Sequence, residues 1–393
     1  ALKLARSLAQ KACGSEKVDA RYREFLLDAV ALASLGVVAD VVPLHDENRI
    51  IVKHGLSRLK AKPPLGLKAL CETAEVRSDR PIRASDIGFR LGPRLNAAGR
   101  LGWARIAVEL LTTTKAQTAT DLARQLEQRN SDRQKLERAA LQEAKEMVDA
   151  ISLDDTPALV LASPDWHPGI IGIVASRLVD LYGRPTLMIS LQSKDGEVSD
   201  VGSGSGRSIP GLALNEALEA CSEHLLSHGG HKAAAGFRVK AEGIDELRSQ
   251  MCEHVARRFP SGPPAPSLVL DAEVSLASLT TGLVRELDRL EPYGSHNRKP
   301  IFLAGDLVVS NEPRKVGKAE THLQFAVRQG RTVLKAIAFG MAGRLEELMS
   351  EGGRCCLAFT PKINEWMGKV SVDLEIVDIQ AGATAKLSSL PPP

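Results

Sequence analysis

The sequence predicts a multidomain α/β protein that ends in a small β-barrel, and three patterns carry that prediction. Residues 157–240 alternate strand-like and helix-like segments, with ALVLA at 158–162, IIGIVASRLVDLY at 170–182 and TLMISL at 186–191, the pattern of an α/β layer. Past a proline-rich stretch the chain becomes a run of alternating strands, from LVLDAEV to VSVDLEIVDI, with one clear helix near 282–290. A barrel of the OB type fits that run. With 393 residues, 44% hydrophobic and 25% charged, the chain has the length for roughly two to four domains and the composition to bury their cores.

Taken in order, residues 1–60 read as helical. Phe25, Leu26, Val30, Leu32 and Ala33 recur about once per turn, and ALASLGVVADVVPL at 31–44 stops at Pro43. The stretch 77–105 holds seven arginines (Arg77, Arg80, Arg83, Arg90, Arg94, Arg100 and Arg105) against two acids, Asp79 and Asp86. From 116 to 150 runs a long charged helical pattern with Leu122, Leu126, Leu136, Ala140, Ala144 and Met147 on related faces. Its waist, RNSDRQK at 129–135, has no apolar residue, as expected of a helix that bridges two domains. Asp154, Asp155 and Pro157 end it. PSGPPAP at 260–266 reads as a linker, and the tail KLSSLPPP as disordered.

Composition narrows the function classes. A net charge of +3 does not by itself argue for nucleic acid, and 4% aromatics excludes extended base-stacking platforms as the main theme. Cys13, Cys71, Cys221, Cys252, Cys355 and Cys356 show no CxxC or metal-ligand spacing and read as free thiols of a reducing compartment. No apolar run approaches the roughly 18 residues of a membrane span, and no signal peptide leads the chain, so a cytoplasmic location is expected. The chain opens on Ala1, inside a helical pattern, which suggests a fragment that has lost its natural N-terminus.

Two glycine-rich strings carry the first site expectation. GSGSGRS at 202–208 combines glycines, hydroxyls and Arg207, and reads either as a flexible surface loop or as a loop cradling an anion. An apolar helix starting near Leu212 favours the anion. GGHKAAAGF at 229–237 offers His231 and Lys232 as donors beside small residues that permit close backbone approach, or else is plain solvated surface. There is no GK[ST], so neither is a Walker loop. The two strings are expected to form one pocket for a phosphate of a nucleic acid, with Ser205, Gly206, Arg207, Ser208, Gly230, His231 and Lys232 around it.

Other residues keep two readings. LGPRLNAAGRLG at 91–102 sets Arg94, Asn96 and Arg100 among glycines, suited to phosphate contact or to a basic solvated loop. Asp165, Trp166 and His167 lie between a strand and a helix, either lining a site or serving the core. Asp40, set in LGVVADVVP, is a helix-end cap or a metal ligand. In the barrel region Arg314, Lys315, Lys318, Arg328, Arg331 and Lys335 outnumber Glu312 and Glu320, as in barrels that track a single strand. Phe325, Phe339 and Trp366 are candidates for base stacking or for the core.

In this order, LGVVADVVPL, LGPRLNAAGRL, WHPGIIGIVASRL, GSGRS, GGHKAAAGF, LEPYGSHNRKPIF and INEWMGKVSVDLEIVDI resemble the RecJ family, the single-strand-specific 5′→3′ exonucleases of the DHH phosphoesterase superfamily. The resemblance spans nearly the whole chain. It implies the C-terminal part of a DHH domain at 1–115, a bridging helix at 116–153 and a DHH-associated domain at 154–259. A linker at 260–267, an OB-fold at 268–380 and a disordered tail at 381–393 complete the arrangement. It further implies two-metal phosphodiester hydrolysis with Mn²⁺ or Mg²⁺ in DNA recombination and repair, with Asp40 as catalytic metal ligand. Arg94 and Arg100 would lie in a cleft, and Ser205, Arg207 and His231 would hold a terminal 5′ phosphate or the released nucleotide. The partners implied are single-stranded DNA, a single-strand-binding protein and a helicase. No DxD or DHH string is present, so the chain is not expected to assemble the metal pair or to cut alone. SHNRK replaces the family's usual glycine and proline in the 290–302 string, which leaves that loop's shape open. The alternatives are a non-catalytic single-stranded nucleic-acid-binding module and a DHH phosphodiesterase for short oligonucleotides.

Overall fold

The structure, a computed structural model, describes residues 1–77, 79–100, 102–192, 198–265, 267–366 and 368–385; the tail KLSSLPPP lies outside the described residues. The helices that open the chain are α1 (Leu2–Cys13), α2 (Ala20–Ala39), α3 (Asp46–Ala61), α4 (Leu65–Thr73) and the single turn α5 (Ala84–Asp86). A π-helical turn, Ile87–Leu91, leads into α6 (Gly92–Arg100), α7 (Ala104–Thr112) and the long α8 (Ala116–Asp149). The α/β segment runs β1 (Leu159–Ser163), α9 (Ile171–Tyr182), β2 (Thr186–Gln192), β3 (Val198–Arg207), α10 (Leu214–Ala220), β4 (Leu225–Gly230), β5 (Ala234–Lys240) and α11 (Ile244–Arg258). The last segment is β6 (Ala272–Glu273), α12 (Thr281–Asp288), β7 (Phe302–Val309), β8 (Arg314–Val316), β9 (His322–Gln329), β10 (Thr332–Ala338), α13 (Leu345–Met349), β11 (Arg354–Trp366) and β12 (Lys369–Ala381). The chain divides into two compact units. One comprises Ala1–Arg58, Arg83–Ser85 and the chain from Leu268 onward, the other Leu59–Ile82 and Asp86–Ser267.

The second unit is built along α8. Near its start Ala119, Leu122, Ala123 and Leu126 are buried, where the helix packs on α4, α6 and α7. Near its end Ala140, Ala144 and Val148 join Leu159, Trp166, Ile171, Val174 and Leu178 in one core. The helix therefore ties a small helical group to the α/β layer. One face of its polar waist is buried, however. Asn130, Arg133 and Glu137 are all buried there, which requires the charges to satisfy each other. Arg133 donates to Glu137 at 2.5 Å and to Asn130 at 3.0 Å, and Arg177 of α9 closes on the other Glu137 oxygen.

The sheet of this unit has the order β1-β2-β3-β5-β4. β1 and β2 are parallel and the other neighbours antiparallel. Strand alternation sorts its side chains into two layers. Leu159, Leu161 and Met188 face α8 and α9, whereas Val160, Leu187 and Ile189 face α10 and α11. On edge strand β1, Arg248 of α11 donates to the Val160 carbonyl at 3.1 Å, covering an otherwise open ladder group.

In the other unit α2 and α3 are joined by Arg58, which donates to Asp28 at 2.9 Å and Glu24 at 2.6 Å. A Cβ on Gly55 would strike Ser34, so glycine is what permits that close approach. The strands follow the order β6-β7-β11-β12-β10-β9-β8, and an additional β7–β9 pairing closes five of them into a barrel. Leu323, Phe325 and Val327 alternate inward along β9 with Leu307, Leu357, Phe359 and Leu374 in the same core. Besides α12, a short α13 and neighbouring helical turns interrupt the strands. The SHNRK loop folds tightly. Gly294 and Asn297 exchange backbone hydrogen bonds at 3.0 and 3.1 Å, the Asn297 amide caps Pro292 O at 2.8 Å, and Leu44 N donates to Ser295 O at 2.7 Å.

Candidate phosphate site

GSGSGRS is a strand and not a loop, which corrects the expected reason for its glycines. Residues 202–207 form the end of β3, and their backbone groups are held in ladders with β2 and β5. They are thus not free to converge on an anion. A Cβ on Gly204 would run into the Phe237 ring, and one on Gly206 into Leu187 and Leu214. The glycines are room for the core on one face. Strand alternation puts Ser203, Ser205 and Arg207 on the other face.

That second face meets the start of α9. A Cβ on Gly172 would lie 2.8 Å from Ser205 Oγ and 2.9 Å from Arg207 Nη2, so the first turn of α9 rests on these two side chains. First-turn amides of a helix lack intrahelical acceptors and carry partial positive charge. Arg207 donates to Ser205 Oγ at 3.2 Å and to Gly206 O at 2.8 Å. Arg100, at the end of α6, donates to Gly169 O at 3.3 Å just ahead of α9. Burial, reinforced by Arg100, draws the proton affinity of Arg207 below the ordinary arginine range. Burial and Arg133 do the same to Arg100, with Glu137 opposing. Among the described residues no carboxylate lies within ion-pair distance of Arg100 or Arg207. Two guanidiniums that have no carboxylate within ion-pair distance among the described residues, a hydroxyl and a helix start are together suited to an anion.

Room for it lies beside them. Ser205 is in register with Gly236, and Gly236 with Gly229, so the three share a sheet face. A Cβ on Gly229 would meet nothing within 4 Å, and one on Gly236 only Gly204 O at 3.7 Å. The glycines form a shelf next to Ser205, with exposed Arg238 one register step further along the same face. Motif reading missed the role of Gly229 and Gly236 and missed Arg238. The register of β3 with β5 is what identifies them. The glycines of GGHKAAAGF thus serve open space as well as close approach.

The remaining expected residues fall in different places. His231 and Lys232 are exposed at the tip of the β4–β5 turn, where His231 N donates to Ala234 O at 2.8 Å and Lys232 O accepts from Leu214 N at 2.9 Å. Gly230 has φ +148°, and a Cβ there would strike Ala235. Ser208 does not reach the site, since its hydroxyl donates to Leu212 O at 2.8 Å. Gly206 faces the opposite, apolar layer. Arg94 is engaged by Glu127 of α8 and by Arg90 O, so it braces α6 against α8. Asn96 is exposed on α6. Arg77 pairs with Asp79, Arg80 with Asp86 at 2.7 Å, and Arg90 donates to Glu75 O, which leaves few of the arginine-rich stretch for a ligand. Trp166 is core, its Nε1 donating to Glu143 at 2.7 Å, and His167 Nδ1 accepts from Gly169 N at 3.0 Å. Phe325 is core and Phe339 is 52% exposed, while the Trp366 side chain lies outside what is described.

Asp40 is an exposed residue at the C-terminal end of α2, followed by Val41 at φ 54°. Among the described residues no group of three or more His, Cys, Asp or Glu is placed to hold a metal ion. A lone carboxylate does not fit a two-metal centre. Also among the described residues, no helix is long and apolar enough to cross a membrane.

Comparison with known proteins agrees with these two halves. Residues 155–257 match the DHHA1 domain, and residues 270–378 the RecJ OB domain. With these two domains the chain is similar to the RecJ family. It is 37% identical over 347 residues to the single-stranded-DNA-specific exonuclease RecJ of Bacillus subtilis, covering 88% of this chain and 43% of that protein. To the Thermus thermophilus protein of the same name it is 33% identical, covering 90% of this chain and 48% of the relative. The crystal structure of RecJ in complex with Mn²⁺ from Thermus thermophilus superposes with a TM-score of 0.78 at 31% identity, covering 93% of this chain and 51% of that one. This chain thus spans about half the length of the relatives it matches.

Proposed function

We propose that this chain is the part of a single-stranded-DNA-specific 5′→3′ exonuclease that holds the strand, gripping a terminal phosphate between Arg207, Ser205 and Arg100 at the start of α9. The observation that supports this best is the two guanidiniums, Arg207 half-buried and Arg100 beside Gly169, with no carboxylate within ion-pair distance among the described residues, next to a glycine shelf. His231, Lys232 and Gly230 at the hairpin tip, and Asn96 on α6, are secondary contacts in this reading. The barrel supplies the grip along the strand. Arg314, Lys315, Arg328, Arg331 and Lys335 are exposed on neighbouring strands β8, β9 and β10 or the turn between them, and an OB barrel with a basic face tracks a phosphate backbone.

In the whole protein the reaction is phosphodiester hydrolysis in recombination and repair, run in the cytoplasm with Mn²⁺ or Mg²⁺. A single-strand-binding protein and a helicase act beside it. Asp40 is this chain's one contribution to the metals in that reading. Because the described residues do not build a metal centre, this chain on its own binds and does not cut.

The test measures binding of 5′-phosphorylated and 5′-hydroxyl oligonucleotides to this chain and to Arg207→Ala. The unaltered chain is expected to prefer the phosphorylated end by roughly tenfold, and the variant to lose the preference, as befits one charge-assisted contact. Equal preference in both would refute the assignment. Affinity should also fall with added salt, since lysines and arginines displace counterions. A second reading, a binding module that never takes part in cleavage, is favoured by the lack of a metal cluster among the described residues. Nuclease activity of the whole protein with Mn²⁺ would exclude it.

A further inference from the structure

Trp103 is 51% exposed, unusual for the largest apolar side chain, and its ring is not free to wander. The Arg129 guanidinium of α8 lies over it at 4.9 Å from the ring centroid. Trp103 N donates to Ala98 O at 2.6 Å, holding the residue against the end of α6, three residues past Arg100. A Cβ on Gly99 or Gly102 would meet nothing within 4 Å, so the chain is open at those two positions next to Trp103.

The position along α8 is informative. Arg129, Arg133 and Glu137 recur every four residues and so follow one face of the helix. Arg129 touches Trp103, Arg133 is the guanidinium whose charge acts on Arg100, and Glu137 meets Arg177 of α9. Three residues of chain separate Trp103 from Arg100, so their backbones lie within about 11 Å of each other. One nucleotide can bridge that span with its phosphate at one end and its base at the other.

We propose that Trp103, backed by Arg129, stacks on the base of the nucleotide whose phosphate is held by Arg100 and Arg207; this rests on the phosphate reading above. A base stacked on an indole needs no sequence readout, because every base has a π-face. Arg129 polarises and fixes the ring, so the ligand meets a preformed surface. Few aromatics are needed when one is placed at the end of the strand.

The experiment uses this chain with two ligands carrying the same phosphates. One is a 5′-phosphorylated thymidine dinucleotide, the other its analogue with an abasic tetrahydrofuran at the 5′ position. The unaltered chain is expected to bind the base-bearing ligand about tenfold tighter, with quenching of indole fluorescence. Trp103→Ala should bring the two ligands within twofold and remove the quenching, while Trp103→Phe keeps part of the difference. In all of these the preference for a 5′ phosphate over a 5′ hydroxyl should persist. Undiminished base preference in Trp103→Ala, or none in the unaltered chain, overturns the stacking role alone. Loss of the phosphate preference in the unaltered chain overturns the underlying phosphate reading instead.

Discussion

The guanidinium of Arg207 lies within the field of Arg100, and among the described residues neither has a carboxylate within ion-pair distance. Like charges brought together, here with Arg207 half-buried, work against the fold that holds them. They persist where function needs them. Replacing Arg207 with Met keeps the apolar stem and removes the repulsion. The melting temperature without ligand is therefore expected to stay level or rise by roughly 1–2 °C, the shift of a gain of about half a kcal/mol. Inorganic phosphate should raise the melting temperature of the unaltered chain and not of the variant. A variant that is destabilised, and still stabilised by phosphate, would contradict this picture.

Gly204 predicts a different outcome. The place of its absent Cβ is filled by the Phe237 ring, within the core between the sheet and α10 and α11. Gly204→Ala should cost about 1–3 kcal/mol, the usual range for overpacking. Phe237→Leu in the same chain should return part of that loss. Urea denaturation of the two single variants and the double variant measures the coupling. Additive losses would mean that the strand yields elsewhere.

How much of this was legible in the sequence depends on what kind of pattern carried it. Alternation in 158–191 and in the barrel strands is a period-two signal, so the two folds could be read locally. Glycine is ambiguous: the alternation of GSGSGRS is itself a strand pattern, yet composition suggested a loop. Only Phe237, over thirty residues on, shows what the glycines accommodate. Gly229 and Gly236 become a shelf through the register with Ser205, which no single string contains. The waist at 129–135 was visible as polar, but its burial depends on Arg177 and the α/β layer. Arg94 looked like Arg100 in sequence. Glu127, in another helix, separates them.

The thiols set an alkaline limit. Burial, aided by Glu223 and opposed by Arg257, pushes Cys221 up to about 11 from an ordinary 9.0, and burial with Cys356 pushes Cys355 up to about 12. In the unfolded chain both release their protons near the ordinary value. Above it the folded state binds more protons than the unfolded state, so stability falls as pH rises. The contribution is full below about pH 9 and is lost progressively towards pH 11–12. Denaturation midpoints taken from pH 8 to 11 should decline, and the decline should be shallower in a Cys221→Ala, Cys355→Ala chain. Equal slopes would show that other groups dominate.

Glu137 is where the helical group, α8 and the α/β layer depend on one charge. It is 2% exposed, and it accepts from buried Arg133 and meets Arg177 across α9, while the Arg133 Nε has no partner of its own among the described residues. Glu137 also opposes the loss of proton affinity at Arg100. Glu137→Gln keeps the shape and removes the charge, leaving Arg133 buried without compensation. The cost expected for breaking such a buried pair is about 3–5 kcal/mol. Replacing Arg133 as well, with Met, removes the orphaned charge and should recover a substantial part of the stability. If Glu137→Gln alone costs less than about 1 kcal/mol, the range of an exposed pair, water reaches the waist and α8 is solvated there after all. Denaturant midpoints for the two variants decide between these outcomes.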